Sequence, residues 1–275
     1  MAARSHAQLK RLLDELYHRY SRPVFLSTSA LSIPHQYGSP EDREIAAFVA
    51  ASLAYGNVKQ IHRSANAALE AMGKSPARFI RRFDPTRDAA RFQQFVHRFN
   101  SGLDLALLCH LLHQAIAAEG SLQAFFLKGY DPIHEDIEPA LTSFACRMLL
   151  LDVAPFYRSG TLPAKAGVRF FFPSPAQGSA CKRLNLFLRW MVRRNDAIDF
   201  GIWAEVSSAK LIVPLDTHVA RIARQLGLTR IKQPNWRMAK EVTRRLRAFD
   251  PDDPVKYDFA LCRLGVLKQP IPSPE

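Results

Sequence analysis

Residues Leu211–Leu228 read LIVPLDTHVARIARQLGL. An apolar run closes on Pro214, Asp216 stands where a helix is expected to begin, and apolar side chains then recur at helical spacing as far as Gly227. An aspartate in front of such a run predicts a helix start, because its carboxylate accepts hydrogen bonds from the free backbone N–H groups of the first turn. The stretch therefore predicts a capped helix over 217–226.

Helical periodicity also runs through the rest of the chain. Glycine is scarce, with 12 among 275 residues, and the apolar positions follow a period of 3.6 rather than 2. After the start signal Ser39–Pro40, the segment IAAFVAASLAYG is apolar on nearly every face, which predicts a central buried helix. The sequence therefore predicts an all-α fold. The predicted helices are 6–20, 41–54, 58–73, 76–82, 88–99, 103–118, 121–128, 135–150, 182–195, 202–206, 217–226, 235–248 and 254–264.

The length suits one large domain or two closely packed lobes. We predict two helical lobes with a cleft between them: a central lobe over 41–198, and a second lobe formed by 1–40 together with 199–275. Ser21–Gly38 is expected to be an extended connector that passes between the lobes. Pro155–Gln177 contains further prolines and cannot form one continuous helix.

Composition limits the class of protein. A hydrophobic fraction of 48% and a charged fraction of 23% are ordinary for a globular chain. No window approaches the roughly 20 apolar residues of a membrane span. The N-terminal segment carries acids as well as bases along an amphipathic helix, unlike a signal peptide. We therefore expect a cytoplasmic protein.

The four cysteines, Cys109, Cys146, Cys181 and Cys262, lie far apart in the sequence. Their spacing suits neither a zinc site nor a four-cysteine iron–sulfur cluster. Free thiols in a reducing compartment are expected. The sequence predicts no metal site.

Charge points to a polyanionic partner. The net charge is +13, with a pI near 9.9, and lysine and arginine side chains that contact phosphates release condensed counterions. Charge alone leaves RNA, DNA and acidic proteins open as partners.

Lys182 follows the small, turn-prone segment PSPAQGSAC and precedes an amphipathic helix. A helix N-terminus disfavours a cation. The same field, together with burial, favours the neutral amine, which is the nucleophilic form. The alternative is an exposed lysine that contacts phosphate. For Asp216, the alternatives are a plain helix cap and a carboxylate that stabilises positive charge on a sugar ring.

Two segments together resemble the helix–hairpin–helix DNA glycosylases (HhH-GPD superfamily). The run Gln177–Lys182 resembles their hairpin, and Pro214–Ile222 resembles their proline–valine–aspartate signature. The resemblance implies a helix–hairpin–helix element, in which Lys182 attacks the sugar C1′ to expel a damaged base and then cleaves the strand as an AP lyase. It implies that Asp216 assists departure of the base. The overall pattern also looks like a bacterial family of uncharacterised proteins.

The chain departs from the pattern of these glycosylases in two ways. Ala180 replaces a hairpin glycine, and Gln177 replaces the usual proline. Asp216 follows Lys182 by 34 residues, about twice the usual separation, because of the additional segment Asn195–Lys210. A long insertion with an altered hairpin is more similar to the archaeal-type 8-oxoguanine glycosylases.

The resemblance also implies DNA contacts and a base pocket. Tyr55 would occupy the position that wedges into the duplex, with a core-edge aromatic as the alternative. The expected DNA-binding residues are Tyr55, Asn57, Gly178, Ser179, Arg183, His218 and Arg221. Candidate pocket residues are Phe144, Trp190 and Trp203, for each of which core packing is the alternative. The basic set expected to form a phosphate-binding face is Arg183, Arg189, Arg193, Arg194, Arg221 and Arg224.

The predicted partner is double-stranded DNA with a damaged base, 8-oxoguanine being the first to test. We expect a monomer that requires no cofactor, nucleoid-associated when bound to DNA; a monovalent cation at the hairpin carbonyls is compatible with the resemblance. Two alternatives stay open. One is a non-catalytic helical nucleic-acid-binding protein, and the other is an RNA-binding or RNA-modifying protein.

Overall fold

The fold is all-α, as predicted. A computed structural model describes residues 5–194 and 196–272, and in these ranges one short β-hairpin accompanies the helices. The hairpin pairs β1 (Val96–His97) with β2 (Asn100–Ser101). The α-helices are α1 (His6–Tyr20), α2 (Pro40–Ser52), α3 (Val58–Met72), α4 (Pro76–Arg81), α5 (Pro85–Asp88), α6 (Gly102–Glu119), α7 (Leu122–Leu127), α8 (Glu138–Leu149), α9 (Lys182–Val192), α10 (Thr217–Gln225), α11 (Trp236–Arg247) and α12 (Asp258–Val266).

Helix α2 is buried over most of its length, which confirms the predicted central helix. The Ser39 hydroxyl accepts a hydrogen bond from the Asp42 backbone N–H (3.1 Å) and so caps its first turn. Within α2, the buried carboxylate of Glu44 accepts from the backbone N–H groups of Leu122 and Gln123, 3.2 Å each, at the start of α7. A charged residue is therefore tolerated in this core because a second helix start satisfies it.

The chain divides into two compact units. Unit 1 comprises residues 1–26, 134–137 and 175–275, and unit 2 comprises residues 27–133 and 138–174. The sequence placed 175–198 in the central lobe, whereas these residues group with both termini in unit 1. Asn195, where the predicted insertion begins, lies outside the described residues.

Unit 1 is built around α12, which packs against both α10 and α1. Its largest buried side chains include Trp190, Trp203 and Tyr257. Beside them, the buried guanidiniums of Arg189 and Arg193 both bind the carboxylate of Asp199, at 3.0 and 2.5 Å. The core of unit 1 is therefore apolar with an internal ionic network.

Unit 2 has α2 and α6 at its centre, each buried on most of its surface. Its core contains a cluster of aromatic rings. The cluster comprises Phe48, Phe125, Phe126, Phe144 and Phe172.

The predicted helix over 88–99 is wrong. Helix α5 ends at Asp88, a 3₁₀ turn follows over Ala89–Phe92, and the chain then enters the β-hairpin. The physical reason is tertiary: the buried His97 ring bonds to the Ser64 hydroxyl (2.9 Å), and the Asn100 amide donates to the Gly167 carbonyl (3.0 Å). These contacts with distant residues override local helix propensity.

The predicted helix over 202–206 is also wrong, because this segment is irregular. The Phe200 backbone N–H donates to the Trp190 carbonyl, and the Trp203 N–H donates to the Met191 carbonyl, each at 2.8 Å. The segment thus satisfies carbonyl groups at the end of α9, which have no partner inside the helix.

Segments with several prolines behave differently from one another. No continuous helix spans Pro155–Gln177, as predicted, and the segment contains the 3₁₀ turns Gly167–Phe171 and Pro175–Gln177. Ser21–Gly38 was expected to be extended, but it folds into the 3₁₀ turns Pro23–Thr28, Ala30–Ser32 and Pro34–Gln36. Across the part of the chain that the structure describes, no helix combines the length and the apolar character that crossing a membrane requires.

Candidate functional site

Lys182 is the first residue of α9 and is half-buried. The chain reaches it through the 3₁₀ turn Pro175–Gln177 and through Gly178, which has a φ of 74°. Cys181, which precedes the helix, is left-handed with a φ of 47°. The segment in front of α9 is therefore a tight turn, which differs from the predicted hairpin between two α-helices.

Asp216 caps α10 and is held at both carboxylate oxygens. Its Oδ1 accepts a hydrogen bond from the Val219 N–H at 2.7 Å, and its Oδ2 accepts from the Cys262 thiol at 3.5 Å. The predicted helix start is confirmed, because α10 begins at Thr217. The carboxylate is therefore fixed between the first turn of α10 and the side of α12.

Helix α12 links the helix that begins at Lys182 to the carboxylate of Asp216. Asp258 at its start accepts a hydrogen bond from Arg189 of α9 at 2.6 Å. One turn further along α12, Cys262 contacts Asp216. Helices α9 and α10 are thus both tied to α12, and both candidate residues belong to unit 1.

Burial dominates the electrostatics around this link. It raises the pKa of Asp258 to about 6, although the nearby Arg189 guanidinium acts to lower it, and the charge of Asp216 adds to the increase. Burial also raises the pKa of the Cys262 thiol to about 12, again with a contribution from Asp216. The Cys262 thiol therefore stays protonated and acts as a donor to Asp216.

The predicted phosphate-binding set needs correction. Arg189 and Arg193 are buried, and each is paired with carboxylates. Arg183 is buried as well, which does not fit a phosphate contact on an exposed face. Arg194 and Arg224 are exposed, and each donates to a backbone carbonyl. For Arg189 and Arg193, the acidic partners explain the burial: Asp196 and Asp199 are close in sequence, whereas Asp253 and Asp258 come from a distant part of the chain.

The other residues predicted to bind DNA in unit 1 lie in the turn before α9 or on α10. The Ser179 hydroxyl accepts from the Cys181 N–H at 3.2 Å, and the Gly178 carbonyl accepts from the Trp236 N–H at 3.1 Å. His218 is half-buried beside Gly265 of α12. Arg221 donates to Gln225 of the same helix at 3.2 Å.

Tyr55 and Asn57 belong to unit 2. Asn57 is exposed, and its side-chain oxygen caps α3 through the Lys59 N–H at 2.9 Å. Tyr55 is half-buried, and its hydroxyl donates to the side-chain oxygen of Asn100 (2.5 Å) and lies 3.1 Å from the His97 carbonyl. These bonds fix the ring, as expected for the core-edge alternative.

The sequence interpretation missed an exposed ring beside Tyr55. Phe99, at the tip of the hairpin, is 59% exposed and stacks on the Tyr55 ring with centroids 5.4 Å apart. Its neighbour Arg98 has a φ of 55° and lies across Gly56. The sequence did not predict this exposed tip, because residues 88–99 were wrongly predicted to form a helix.

The three candidate pocket residues are core residues. Phe144 is 2% exposed within the aromatic cluster of unit 2. Trp190 and Trp203 are 0% and 1% exposed in unit 1, and the Trp203 ring meets Phe187 edge-on at 5.1 Å. Their enclosed rings fit the core-packing alternative, not a base pocket.

Across the described ranges, no three side chains of the histidine, cysteine, aspartate and glutamate types are grouped so as to hold a metal ion. The four cysteines are free thiols. The cation predicted at the hairpin carbonyls stays a prediction.

A second group of residues that the interpretation missed lies on α11. Arg237, Arg244 and Arg245 are exposed, while the opposite side of this helix is buried. In the sequence WRMAKEVTRRLR, Arg244 and Arg245 follow Arg237 by seven and eight residues. This spacing places all three on one side of a helix, so the sequence contained the signal for this face.

Comparison with protein-family models matches residues 30–267 to a family described as a protein of unknown function (DUF2400). No model of the helix–hairpin–helix glycosylases matches, so the family assignment drawn from the two motifs is wrong. No curated protein and no solved structure matches the chain.

Proposed function

We propose that this chain, which belongs to the DUF2400 family of proteins of unknown function, has a DNA base-excision activity. In the proposed reaction, Lys182 is the nucleophile and Asp216 is its charged partner. The proposed substrate is double-stranded DNA with a damaged base, and 8-oxoguanine is the first base to test. Bound to its substrate, the protein would be associated with the nucleoid. The proposed reaction requires no cofactor.

One observation carries the proposal. The lysine and the aspartate stand at the starts of α9 and α10, and both helices are tied to α12 through Asp258 and Cys262. A nucleophile and a fixed carboxylate on two helices that are tied to the same third helix are compatible with covalent catalysis at a sugar carbon.

The proposed reaction needs only water besides the protein and the DNA. The lone pair of the Lys182 amine forms a bond to C1′, and the bond from C1′ to the base breaks, with its electron pair leaving on the base. The amine passes one proton to the departing base, and its second proton moves to the ring oxygen as the sugar ring opens to an imine with Lys182. The carboxylate of Asp216 stabilises the positive charge that develops on the sugar. Elimination then removes a proton from C2′ and expels the 3′ phosphate, which cleaves the strand, and water hydrolyses the imine to free Lys182.

Charge supports a nucleic acid as the partner. Unit 1 holds more than half of the lysines and arginines of this basic chain. Cations of this density favour phosphate contacts, which also bring a nucleic acid to the protein rapidly.

A second candidate is a non-catalytic nucleic-acid-binding protein. It is favoured by the two hydrogen bonds of Asp216, which account for both carboxylate oxygens as structural acceptors. In this reading, Lys182 contacts phosphate rather than the sugar.

The two candidates are separated by base release and strand cleavage under single-turnover conditions. Duplexes with 8-oxoguanine, oxidised pyrimidines or an abasic site are incubated with the wild type and with Lys182→Ala. Lys74→Ala is the matched control, since Lys74 is exposed and lies in unit 2. Cleavage that is lost in Lys182→Ala alone supports the enzyme. Binding without release of any base by the wild type supports the non-catalytic protein.

A further inference from the structure

Helix α11 has one strongly basic face. Arg237, Arg244 and Arg245 are exposed there, and positions seven and eight residues apart fall on the same side of a helix. The other side of the helix packs into unit 1. The buried residues of α11 are Trp236, Met238, Ala239, Val242, Thr243 and Leu246.

A fourth arginine joins this face from the preceding loop. The Thr229 hydroxyl donates to Glu241 in the middle of α11 at 2.5 Å, and the Ile231 N–H donates to the same hydroxyl at 3.1 Å. The loop that carries the exposed Arg230 is therefore held against the helix. We call Arg230, Arg237, Arg244 and Arg245 the α11 basic face.

The α11 basic face keeps a net positive charge. Two other cations of the helix have acidic partners: Lys240 pairs with Asp136 at 3.0 Å, and Arg247 pairs with Glu135 at 3.5 Å. Within the described ranges, none of the four arginines of the face forms an ion pair. The carboxylate of Glu241 lies on the same side of α11, within about one turn of Arg237, Arg244 and Arg245. Four guanidiniums exceed this one carboxylate and leave a net positive surface that attracts an anionic partner.

The face begins next to the turn that leads to Lys182. The Trp236 N–H donates to the Gly178 carbonyl at 3.1 Å, and Gly178 precedes Lys182 by four residues. The Asn235 side chain caps the same end of α11 through the Met238 N–H at 2.9 Å. Arg237 therefore follows directly after Trp236, which is bonded to the turn that leads to Lys182.

We propose that the α11 basic face binds the phosphate backbone of double-stranded DNA and guides the strand to the Lys182 turn. This inference deepens the proposed function and rests on it for the identity of the partner. Arg237 and Arg245 are separated by about 12 Å along the helix axis, a rigid row that suits the regularly spaced phosphates of a duplex. One guanidinium group can bind two oxygens of a phosphate through two parallel hydrogen bonds.

The same face is less suited to single strands. Proteins that bind single strands combine a basic groove with exposed aromatic rings on which bases stack. The aromatic residue of α11, Trp236, is 4% exposed and belongs to the core. Contacts with a duplex backbone therefore match this face better than contacts with unstacked bases.

The test is the salt dependence of duplex binding by the full chain, measured by fluorescence anisotropy. The variant is Arg237→Gln/Arg244→Gln/Arg245→Gln. The matched control is Arg78→Gln/Arg81→Gln/Arg82→Gln, which removes three exposed arginines at α4 of unit 2. Circular dichroism checks that both variants are folded. Each lost phosphate contact reduces the slope of log K against log salt by about 0.9.

We expect the α11 variant to reduce the magnitude of this slope by about 2 to 3 and to bind at least about tenfold more weakly at 0.1 M salt. The α4 control is expected to retain most of the wild-type slope. Equal losses in both variants would overturn the inference, because net charge alone would explain them. A wild type that prefers single-stranded RNA would overturn it as well.

Failure of the inference and failure of the proposed function are distinguishable. A wild type that does not bind duplex DNA overturns both. A slope that falls only in the α11 variant supports the inference, even where Lys182→Ala shows that no lysine chemistry takes place. Lysine-dependent cleavage with an unchanged slope overturns the inference alone.

Discussion

The carboxylate of Asp216 and the thiol of Cys262 lie 3.5 Å apart, which joins the first turn of α10 to α12. The other oxygen of the same carboxylate caps α10. Asp216 therefore has a structural role whatever its chemistry. A test of that chemistry has to keep the cap while removing the charge.

The substitution Asp216→Asn removes the charge and keeps the helix cap, because asparagine and aspartate are equally good helix caps. We expect Asp216→Asn to keep the stability of the wild type but to release a damaged base about a hundredfold more slowly, since the charge opposite the developing cation is lost. Asp216→Ala is expected to lose about 1 kcal/mol of stability in addition. Chemical denaturation and single-turnover kinetics measure the two effects. Equal rates for Asp216→Asn and the wild type would make Asp216 a cap only.

The contact between α10 and α12 leaves no room for a side chain at Gly265. A Cβ atom there would lie 2.6 Å from the Cβ of His218. We expect Gly265→Ala to lose about 1–3 kcal/mol, although alanine is otherwise favoured over glycine in a helix by about 1 kcal/mol. Gly38→Ala is the control, because a Cβ at Gly38 meets nothing within 4 Å. Thermal unfolding measures both effects. Equal melting temperatures for both variants and the wild type would contradict the close approach of α10 and α12 at Gly265.

Asp258 makes stability depend on pH. Burial raises its pKa to about 6 in the folded protein, above the value of about 3.9 in an unfolded chain. The folded state thus binds the proton more tightly, so the contribution of this group is fully present below about pH 4 and is lost as the pH rises through 6. Relative to Asp258→Asn, which does not titrate, the wild type should lose about 2 kcal/mol between pH 4 and pH 7.

Urea denaturation of both proteins at several pH values measures this difference. Asp258→Asn keeps a side chain of the same shape beside Arg189, which retains Asp199 as a partner at 3.0 Å. A constant difference in unfolding free energy between pH 4 and pH 7 would contradict the raised pKa.

The hairpin tip and Tyr55 should respond differently to substitution. Tyr55→Phe removes hydroxyl contacts with Asn100 and His97 and should cost about 1 kcal/mol. If this surface distorts DNA, Phe99 is the ring that is exposed and able to enter the duplex. We expect Phe99→Ala to reduce the fluorescence increase of 2-aminopurine in a bound duplex, and Tyr55→Phe to leave it unchanged. The opposite pattern would restore Tyr55 as the inserting residue.

Local signals predicted the helix starts well. Ser39 and Asp216 act through backbone groups within three residues of themselves, so their neighbours in the sequence contain the relevant information. The all-α fold and the buried helix α2 follow from the same short-range periodicity.

Distant contacts could not be predicted in this way. His97 and Asn100 are buried polar residues whose partners, Ser64 and Gly167, come from other parts of the chain. The sequence predicted Arg189 to be an exposed cation. It is buried, and one of its acidic partners, Asp258, follows 69 residues later in the chain. Whether a charged side chain is buried depends on such partners. For this reason the candidate phosphate-binding face lies on α11 and not on α9, where the sequence predicted it.

The most direct test of the central claim is covalent trapping at Lys182. The protein is incubated with duplexes containing 8-oxoguanine, an oxidised pyrimidine or an abasic site in the presence of borohydride, which reduces the imine to a stable amine. We predict a cross-linked species whose DNA adduct maps by peptide mass spectrometry to Lys182 and which is missing in Lys182→Ala but present in Lys74→Ala. No cross-link with any of these duplexes, or an adduct on another lysine that persists in Lys182→Ala, would contradict the account.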